Sequence, residues 1–259
     1  MTSIEIFKKK VSQLIKLDLF NYKNTQLERR ITLLMQRNNI PDLDQYYSIL
    51  ESDKEKLTEF IDMITINVTE FFRNEDKFTE LENEIIPMLI NKHGKNLKIW
   101  SAGCSSGAEI YSIAIILHKM NILDKCILIA TDFDENIIER AKKAVYSRYE
   151  VSENILNKYK NYFTMDESCG TFQLCSEIRS KVSFKKHNLL NNGFEKRFHL
   201  ILCRNVVIYF TEQAKEKLYK NFYDSLNPDG MLFIGTTERI NNYKQLGFNL
   251  VSSFFYQKC

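Results

Sequence analysis

Along roughly the first ninety positions, apolar residues recur with the spacing that is typical of amphipathic helices. Leu27, Ile31 and Leu34 stand at i, i+4 and i+7 and predict one such helix. Three more helices are predicted, and their markers are Leu14–Leu17, Pro41-Asp42 and Ser52-Asp53. The sequence therefore predicts a small all-helical domain over residues 1–90.

From Leu97 onward, short apolar runs alternate with helical stretches. The predicted strands are Leu97–Ala102, Cys126–Thr131, Val182–Lys185, Leu200–Leu202, Met231–Gly235 and Phe254–Gln257. Helices are predicted over Ala108–Met120, around Ile137, Ile138 and Ala141, and over Thr211–Leu226. The last of these is ended by the segment Asn-Pro-Asp-Gly. Continuous apolar strands that alternate with helices indicate an α/β fold with a mostly parallel, doubly wound sheet covered on both faces.

Residues 162–180 interrupt this alternation. A short segment of Thr, Phe, Gln, Leu and Cys around a Cys-Gly turn predicts a small antiparallel excursion rather than a crossover helix. The chain is thus predicted to consist of the helical domain and an α/β domain over residues 91–259, with a small β-subdomain at about 162–180.

Composition and charge narrow the class of protein. Apolar residues make up 44 % of the chain, and the low numbers of Gly (8) and Pro (3) exclude collagen-like and loop-dominated folds. A net charge of +3 argues against a polycation that coats nucleic acid. The six cysteines form no C-x-x-C pair, and no apolar run approaches the roughly 18 residues of a membrane span. We therefore expect a reduced, cytoplasmic protein without membrane insertion.

Three segments follow predicted strands, and such segments border the ligand site of a doubly wound sheet. In the first, Gly103 and Gly107 permit a tight turn and close approach of a ligand. Their spacing differs from the dinucleotide-binding fingerprint. Glu109 follows at a helix start, where its carboxylate would meet a cation. A helix start in which Glu109 only complements the helix dipole is equally compatible with this pattern.

The second segment ends a predicted strand with Asp132 and Asp134. A carboxylate at this place accepts hydrogen bonds from both hydroxyls of a ribose, a role that fits Asp132, whereas Asp134 fits the cap of the next helix. The D-x-D-x-N pattern also resembles the start of a calcium loop. Ile137 stands where glycine is required and Lys143 where the closing Glu belongs, so calcium is excluded.

The third segment places Arg204-Asn205 directly after a buried strand. An Arg there needs a partner because an unpaired buried charge is costly, and a purely structural ion pair would satisfy it equally well. A fourth segment, residues 65–73, mixes polar with apolar and aromatic residues. This mixture suits a chain that closes over a small ligand with one face and packs with the other. The histidines are not spaced like the ligands of a metal site, and the sequence contains no recognisable arrangement of a catalytic nucleophile with a base.

Together these segments resemble the CheR family, the bacterial chemotaxis receptor-glutamate methyltransferases that use S-adenosylmethionine. The motifs that carry the resemblance are N-V-T-E-F-F-R, W-S-A-G-C-S-S-G-x-E-x-Y-S, A-T-D-F-D, H-N-L-L and I-L-C-R-N-V-V-I-Y-F. They occur in this order and extend from about residue 20 to the C-terminus. The resemblance implies a Rossmann-like methyltransferase domain with a small inserted β-subdomain, preceded by a helical domain.

The resemblance also implies which residues bind the cofactor. Asn67, Thr69 and Arg73 would contact its methionine end, Glu109 its ammonium, Asp132 its ribose and Asn188-Leu189 its adenine, while Arg204-Asn205 complete the pocket. The chain departs from the family at two positions. Ala108 replaces the usual Glu or Gln, and Ile110 replaces Pro or a small residue. We expect binding to survive because Glu109 is retained, with the contact at the first position lost.

The implied reaction moves a methyl group to a glutamate side chain of a receptor and leaves S-adenosylhomocysteine. A carboxyl group with a pKa of about 4.3 is already ionised at neutral pH, so no general base is required. No metal is predicted. Arg204 and Tyr209 are assigned to pocket shape and positioning, and no catalytic residue is named. We expect a monomer that acts on the cytoplasmic helical region of membrane chemoreceptors and does not bind nucleic acid.

The helical domain is electrically polarised. Residues 8–37 carry eight Lys or Arg against two acids, whereas residues 42–59 carry six acids against two Lys. Arg30 and Arg37 are predicted to dock the acidic methylation region of a receptor, although an ordinary solvated helix face is equally compatible. Two other functions stay open: a methyltransferase for RNA or a small molecule, and a non-catalytic scaffold that senses the cofactor. No aromatic-basic groove typical of single-stranded nucleic-acid binding is present in the sequence.

Overall fold

The computed structural model describes residues 2–259, and its N-terminal part is helical. Helices α1 to α4 span Ser3–Ile15, Asn24–Arg37, Leu43–Ser52 and Lys54–Thr65. Side chains cap three of these helix starts: Thr2 for α1, Asp42 for α3 and Asp53 for α4. All four predicted helices are present, although α1 ends at Ile15, before its marker Leu17. None of the helices in residues 2–259 is both long and apolar enough to cross a bilayer.

A further helical run connects α4 to the sheet. It consists of α5 (Glu75–Glu80), a π-helical turn (Leu81–Ile85) and α6 (Ile86–His93), which ends at Gly94. Its buried side chains, among them Phe78 and Leu89, belong to the hydrophobic cluster on one face of the sheet. Helices α1 to α4 belong to the cluster on the other face. Both helical parts therefore pack on the sheet, and a domain boundary near residue 90 stays a prediction.

The rest of the chain alternates strands and helices. Strands β1 to β10 span Lys98–Ala102, Ile127–Asp132, Val145–Tyr146, Phe163–Asp166, Thr171–Leu174, Val182–Lys186, Phe198–Cys203, Leu226–Ile234, Phe248–Ser252 and Phe255–Lys258. Helices α7 to α11 span Ala108–Lys119, Glu135–Lys143, Glu153–Tyr159, Ser176–Arg179 and Glu212–Ser225. The α/β fold class predicted from the sequence is confirmed.

The main sheet has seven strands in the order β6-β2-β1-β7-β8-β10-β9. The first five are parallel, and β10 is antiparallel to both β8 and β9. The strand order reverses between β1 and β7, which is where doubly wound sheets form a ligand crevice. Neighbouring residues of β1 point to opposite faces: Ile99 joins the cluster with α5 to α7, and Trp100 joins the cluster with α11 and α1 to α4.

The small antiparallel sheet is present but differs from the predicted range. Its strand order is β3-β5-β4, and β3 precedes residue 162, while residues 176–179 form helix α10. Strand β3 has only two residues, too few for a legible alternation. Strand β9 was not predicted because most of its side chains are exposed on the sheet edge. Strand β8 begins at Leu226 and includes the Asn-Pro-Asp-Gly segment, which was predicted only to end the preceding helix; the strand has a register shift opposite β7.

Candidate functional site

A cavity lies at the carboxyl ends of β1, β2, β6 and β7. Leu17, Tyr22 and Ile64 of the helical part close one side of it. The cavity wall contains every residue predicted to contact the cofactor: Asn67, Thr69, Arg73, Glu109, Asp132, Asn188, Leu189, Arg204 and Asn205. Tyr209, which was assigned to positioning, also lines it.

Residues 66–73 form a strap between α4 and α5 that is fixed by hydrogen bonds to three other elements. The Phe71 N–H donates to the carbonyl of Glu150 at 2.8 Å, and the Phe72 N–H donates to Ser112 Oγ at 2.9 Å. The Asn67 amide donates to Asp134 Oδ2 at 2.8 Å. Asn67 therefore anchors the strap, whereas the side chains of Thr69 and Arg73 line the cavity without a hydrogen bond or ion pair to residues 2–259.

The turn after β1 brings its backbone close to the cavity. Gly103 has a φ of 80°, and a Cβ there would lie 2.6 Å from Val206 Cγ2, so only glycine fits. The Ser105 N–H donates to Asp132 Oδ2 at 2.8 Å, which joins the turn to the end of β2. Ser105 Oγ is buried and has no hydrogen-bond partner in residues 2–259. It is a cavity-lining hydroxyl that is free to pair with a ligand.

Asp132 and Asp134 occupy different positions: Asp134 has the capping role that the sequence predicted, and Asp132 lines the cavity. Asp134 caps α8 by accepting from the N–H groups of Asn136 and Ile137. Asp132 is buried in the cavity wall, and its Oδ1 accepts from the Asp134 N–H at 3.2 Å. Burial raises the pKa of Asp132, while the N–H groups that it accepts oppose that rise. Each carboxylate oxygen accepts one backbone N–H, which leaves lone pairs for the hydroxyls of a ligand.

Glu109 and Arg204 form an ion pair at the bottom of the cavity. Arg204 Nη1 lies 3.3 Å from Glu109 Oε2, and the two side chains are only 2 % and 12 % exposed, in that order. The other carboxylate oxygen of Glu109 accepts from Ser101 Oγ at 2.8 Å. Arg204 Nη2 donates to the carbonyl of Arg73 and to Asn74 Oδ1, both at 2.8 Å. Arg204 thus connects the start of α7 to the end of the strap.

The surroundings of Arg204 explain why it is held in place. Its guanidinium lies 4.5 Å from the ring centre of Phe233 and 5.3 Å from that of Phe78. Burial lowers its pKa, and the charge of Glu109 opposes that change. The positioning role assigned to Arg204 from the sequence is compatible with these contacts, because its two Nη atoms are already engaged by protein groups.

The loop after β6 forms the end of the cavity assigned to adenine. The Asn188 amide donates to the carbonyl of Lys16 at 3.1 Å, and its Oδ1 accepts from the Leu190 N–H at 3.0 Å. Asn188 therefore ties this loop to the end of α1. Leu189 supplies an apolar surface to the cavity. His187 also lines it, and burial lowers the pKa of this imidazole.

The two residues predicted to dock a receptor, Arg30 and Arg37, have different surroundings. Arg30 is half-buried: its guanidinium lies 4.7 Å from the Tyr209 ring centre, and Nη1 donates to the carbonyl of Ile64 at 3.4 Å. Arg37 is 74 % exposed and lies 3.8 Å from Glu59. Arg30 thus supports the cavity wall through Tyr209, while Arg37 remains available on the surface of α2.

Tyr22 and Ser101 contribute to the site and were not predicted from the sequence. Tyr22 is buried in the cavity wall against Phe210, and burial together with the charge of Asp132 raises its pKa. It lies outside any periodic pattern, so nothing in the sequence marks it. Ser101 orients Glu109 by a hydrogen bond. Ser101 is a polar residue in an otherwise apolar run, Ile99 to Ala102, and this exception in the pattern could have identified it as a candidate site residue. No group of three or more His, Cys, Asp or Glu in residues 2–259 is arranged to hold a metal ion.

Two family models divide almost the whole chain between them. Residues 67–254 match the CheR methyltransferase, SAM binding domain, and residues 2–65 match the CheR methyltransferase, all-alpha domain. Among solved structures, a TehB-like SAM-dependent methyltransferase from Corynebacterium glutamicum has a TM-score of 0.39 and 15% identity, over 71% of this chain and 94% of that one. The chain is an S-adenosylmethionine-dependent methyltransferase whose SAM-binding domain is preceded in sequence by an all-α domain.

Relatives that match over nearly their full length narrow this class. A chemotaxis protein methyltransferase of Listeria innocua is 38% identical over 97% of this chain and 95% of its own length. One of Borreliella burgdorferi is 32% identical with the same two coverages, 97% and 95%. The chain belongs to the CheR family of chemotaxis protein methyltransferases, which confirms the resemblance drawn from its motifs.

Proposed function

We propose that this protein transfers a methyl group from S-adenosylmethionine to glutamate side chains of chemotaxis receptors and forms methyl esters in sensory adaptation. The observation that carries the proposal is the shared cavity: the residues assigned to the cofactor by motif all line it, in a chain of the CheR family. The acceptors would be the helical cytoplasmic regions of membrane chemoreceptors, which sets the protein's place in the cytoplasm.

The chemistry of the cavity wall fits this cofactor. Glu109 offers a carboxylate to an ammonium, Arg73 offers a guanidinium to a carboxylate, and Asp132 offers lone pairs to two ribose hydroxyls. Leu189 supplies apolar surface for a planar base, and Ser105 Oγ is an unpartnered buried hydroxyl. When bound, S-adenosylmethionine supplies an electrophilic methyl group on a sulfonium.

The residues of this chain would align the reactants rather than move protons. A receptor glutamate is ionised at neutral pH, so no side chain has to deprotonate it. The strap and Tyr209 narrow the cavity and exclude water from the attacking carboxylate, whose nucleophilicity rises when it is desolvated. Both Nη atoms of Arg204 are engaged by protein groups, Glu109 and the carbonyl of Arg73 among them, so these atoms would position the pocket rather than stabilise the acceptor carboxylate in its ground state.

Base-labile methylation of receptors is the decisive measurement. Purified protein, radiolabelled S-adenosylmethionine and receptor-containing membranes should yield methyl groups that are released as methanol in mild alkali, because methyl esters hydrolyse under those conditions. Alkali-stable incorporation would indicate another acceptor, such as RNA or an amine. Binding of S-adenosylhomocysteine without any methyl incorporation would indicate a cofactor sensor. Either of these two results would contradict the proposal.

Charge reversal of Arg37 tests receptor docking separately from cofactor binding. The variant Arg37→Glu is expected to raise KM for the receptor several-fold at low salt. The affinity for S-adenosylhomocysteine should stay unchanged, because the Arg37 side chain is largely exposed and lies outside the cavity wall. The difference should shrink at high salt because the attraction is screened. Arg30→Glu should lower both affinities, because Arg30 also supports Tyr209.

The matched control is Lys92→Glu, which reverses an exposed charge on α6. It should leave the receptor KM unchanged. Equal receptor KM values for Arg37→Glu and the wild type at low salt would remove Arg37 from the docking surface.

A further inference from the structure

Glu150 is a buried acid behind the cavity that has no place in the proposed reaction. It lies in the turn after β3, is 9 % exposed and does not line the cavity. Its Oε1 accepts from Ser106 Oγ at 2.9 Å. Its Oε2 accepts from Arg140 Nη2 at 2.6 Å and from the Ser147 N–H at 3.2 Å. The carboxylate therefore connects three parts of the chain: the turn after β1, helix α8 and its own turn.

The backbone of the same residue holds the strap. The carbonyl of Glu150 accepts from the Phe71 N–H at 2.8 Å. The Phe71 ring packs edge-to-face on the Tyr146 ring, with 4.8 Å between the ring centres. The Tyr146 hydroxyl in turn donates to the carbonyl of Ser106 at 2.8 Å. Residues 146–150 thus contact both the strap and the turn after β1.

The turn after β1 needs support because its backbone conformation is unfavourable. Ser105 has a φ of 50°, in the left-handed region, which is costly for a residue other than glycine. Such a conformation persists only where its surroundings determine it. The Ser105 N–H donates to Asp132, and Ser105 lines the cavity. Since Glu150 holds the adjacent Ser106, a shift of that residue would displace groups of the cavity wall.

We propose that Glu150 is a positioning residue: it holds the turn of residues 103–107 and the strap of residues 66–73 together, so that both cavity walls are in place when S-adenosylmethionine binds. This role rests on the proposed function, because the cavity is assigned there to that cofactor. Walls that are in place only part of the time reduce the observed affinity by the same fraction. Loss of the Glu150 side chain should therefore weaken cofactor binding although Glu150 does not line the cavity.

Calorimetric titration with S-adenosylhomocysteine tests the proposal without a need for turnover. We expect the Kd of Glu150→Ala to rise about tenfold, with a stoichiometry like that of the wild type, because the walls would be in place about one tenth of the time. The Arg140 side chain is 46 % exposed, so water can solvate its charge in this variant. Glu150→Gln keeps an acceptor for the Ser147 N–H and a donor for Ser106 Oγ, and it should recover most of the lost affinity.

The matched control is Glu82→Ala, the same truncation in a comparable ion pair. Glu82 lies in the π-helical turn before α6, and its Oε1 is 2.6 Å from Lys119 Nζ, the same distance as in the pair of Arg140 with Glu150. Its side chain is 21 % exposed, and it does not line the cavity. The Kd of Glu82→Ala should stay within about twofold of the wild type.

Hydrogen exchange of the unliganded protein distinguishes positioning from general destabilisation. In Glu150→Ala, the N–H groups of residues 103–107 and 66–73 should exchange faster than in the wild type, while those of β8 should exchange at the wild-type rate. Faster exchange in β8 as well, together with an unchanged Kd, would show a merely structural role and would overturn the proposal.

The outcomes separate this proposal from the proposed function. If the wild type binds no S-adenosylhomocysteine, the assigned cofactor is wrong and both proposals are overturned. If the wild type binds and folded Glu150→Ala binds equally well, only the positioning role is wrong. Should Glu150→Ala fail to fold, Ser106→Ala decides, since it removes the hydroxyl that donates to Glu150 and leaves the carboxylate with its other donors. A wild-type Kd in Ser106→Ala would overturn the proposal, and a raised Kd would support it.

Discussion

Replacing Asp132 by alanine is expected to abolish methyl transfer and to weaken binding of S-adenosylhomocysteine by at least about 100-fold. The reason is that Asp132 is the buried carboxylate assigned to the two ribose hydroxyls. Each hydrogen bond to a charged group contributes about 1.5–3 kcal/mol, and two of them account for a loss of this size. Calorimetric titration and the base-labile methylation assay both measure the effect.

The control for this experiment lies at the opposite end of the same strand. Asp124 precedes β2, and its exposed carboxylate pairs with Lys181 at 2.7 Å. Asp124→Ala should bind S-adenosylhomocysteine like the wild type. Asp132→Asn keeps an acceptor oxygen and should fall between the two. An Asp132→Ala protein that folds and binds with wild-type affinity would contradict the assignment of this residue to the cofactor.

Replacing Arg204 by alanine is expected to lower the free energy of unfolding by about 3–5 kcal/mol, the usual cost of removing one partner from a buried ion pair. The change leaves the carboxylate of Glu109 buried with only Ser101 as a donor, and it leaves a gap beside Phe233 and Phe78. Urea denaturation measures this effect. Cofactor affinity should fall with it, because the strap loses its contact with Arg204.

A second variant separates the stabilising role of the pair from its binding role. The double variant Glu109→Gln/Arg204→Met removes both charges and should recover much of the lost stability, because no buried charge is left unpaired. It should still bind the cofactor weakly, since the carboxylate assigned to the ammonium is gone. The control is Arg37→Ala, whose exposed pair with Glu59 should contribute less than about 1 kcal/mol. An Arg204→Ala protein as stable as the wild type would contradict the role given to the pair.

The strands and helices of this fold could be predicted because burial imposes regular apolar patterns. Continuous apolar runs identified β1, β2 and β7, which are buried on both faces, and the spacing of Leu27, Ile31 and Leu34 identified α2. Strand β9 escaped because an edge strand with exposed side chains has no such pattern. The pairing of β3 with β5 escaped because it joins short segments that are distant along the chain.

The positions of the site residues could be predicted, but their partners could not. The rule that ligands bind at the carboxyl ends of parallel strands placed Glu109, Asp132 and Arg204 in one region. The Asn188 amide, for example, is hydrogen-bonded to the carbonyl of Lys16, a partner that the sequence did not indicate. Such contacts between residues far apart in sequence depend on how the helical part packs on the sheet. No local pattern encodes that packing.

The wall that Tyr22 and Ile64 contribute to the cavity has a thermodynamic consequence. A ligand that fills a space bounded by two parts of a chain binds fully only when both parts are in place, so saturation with it stabilises their junction by mass action. At a concentration of 100 times Kd this stabilisation is about 2.7 kcal/mol. By the same linkage, any partner that loosens the helical part from the sheet lowers the affinity for the cofactor by an equal free energy.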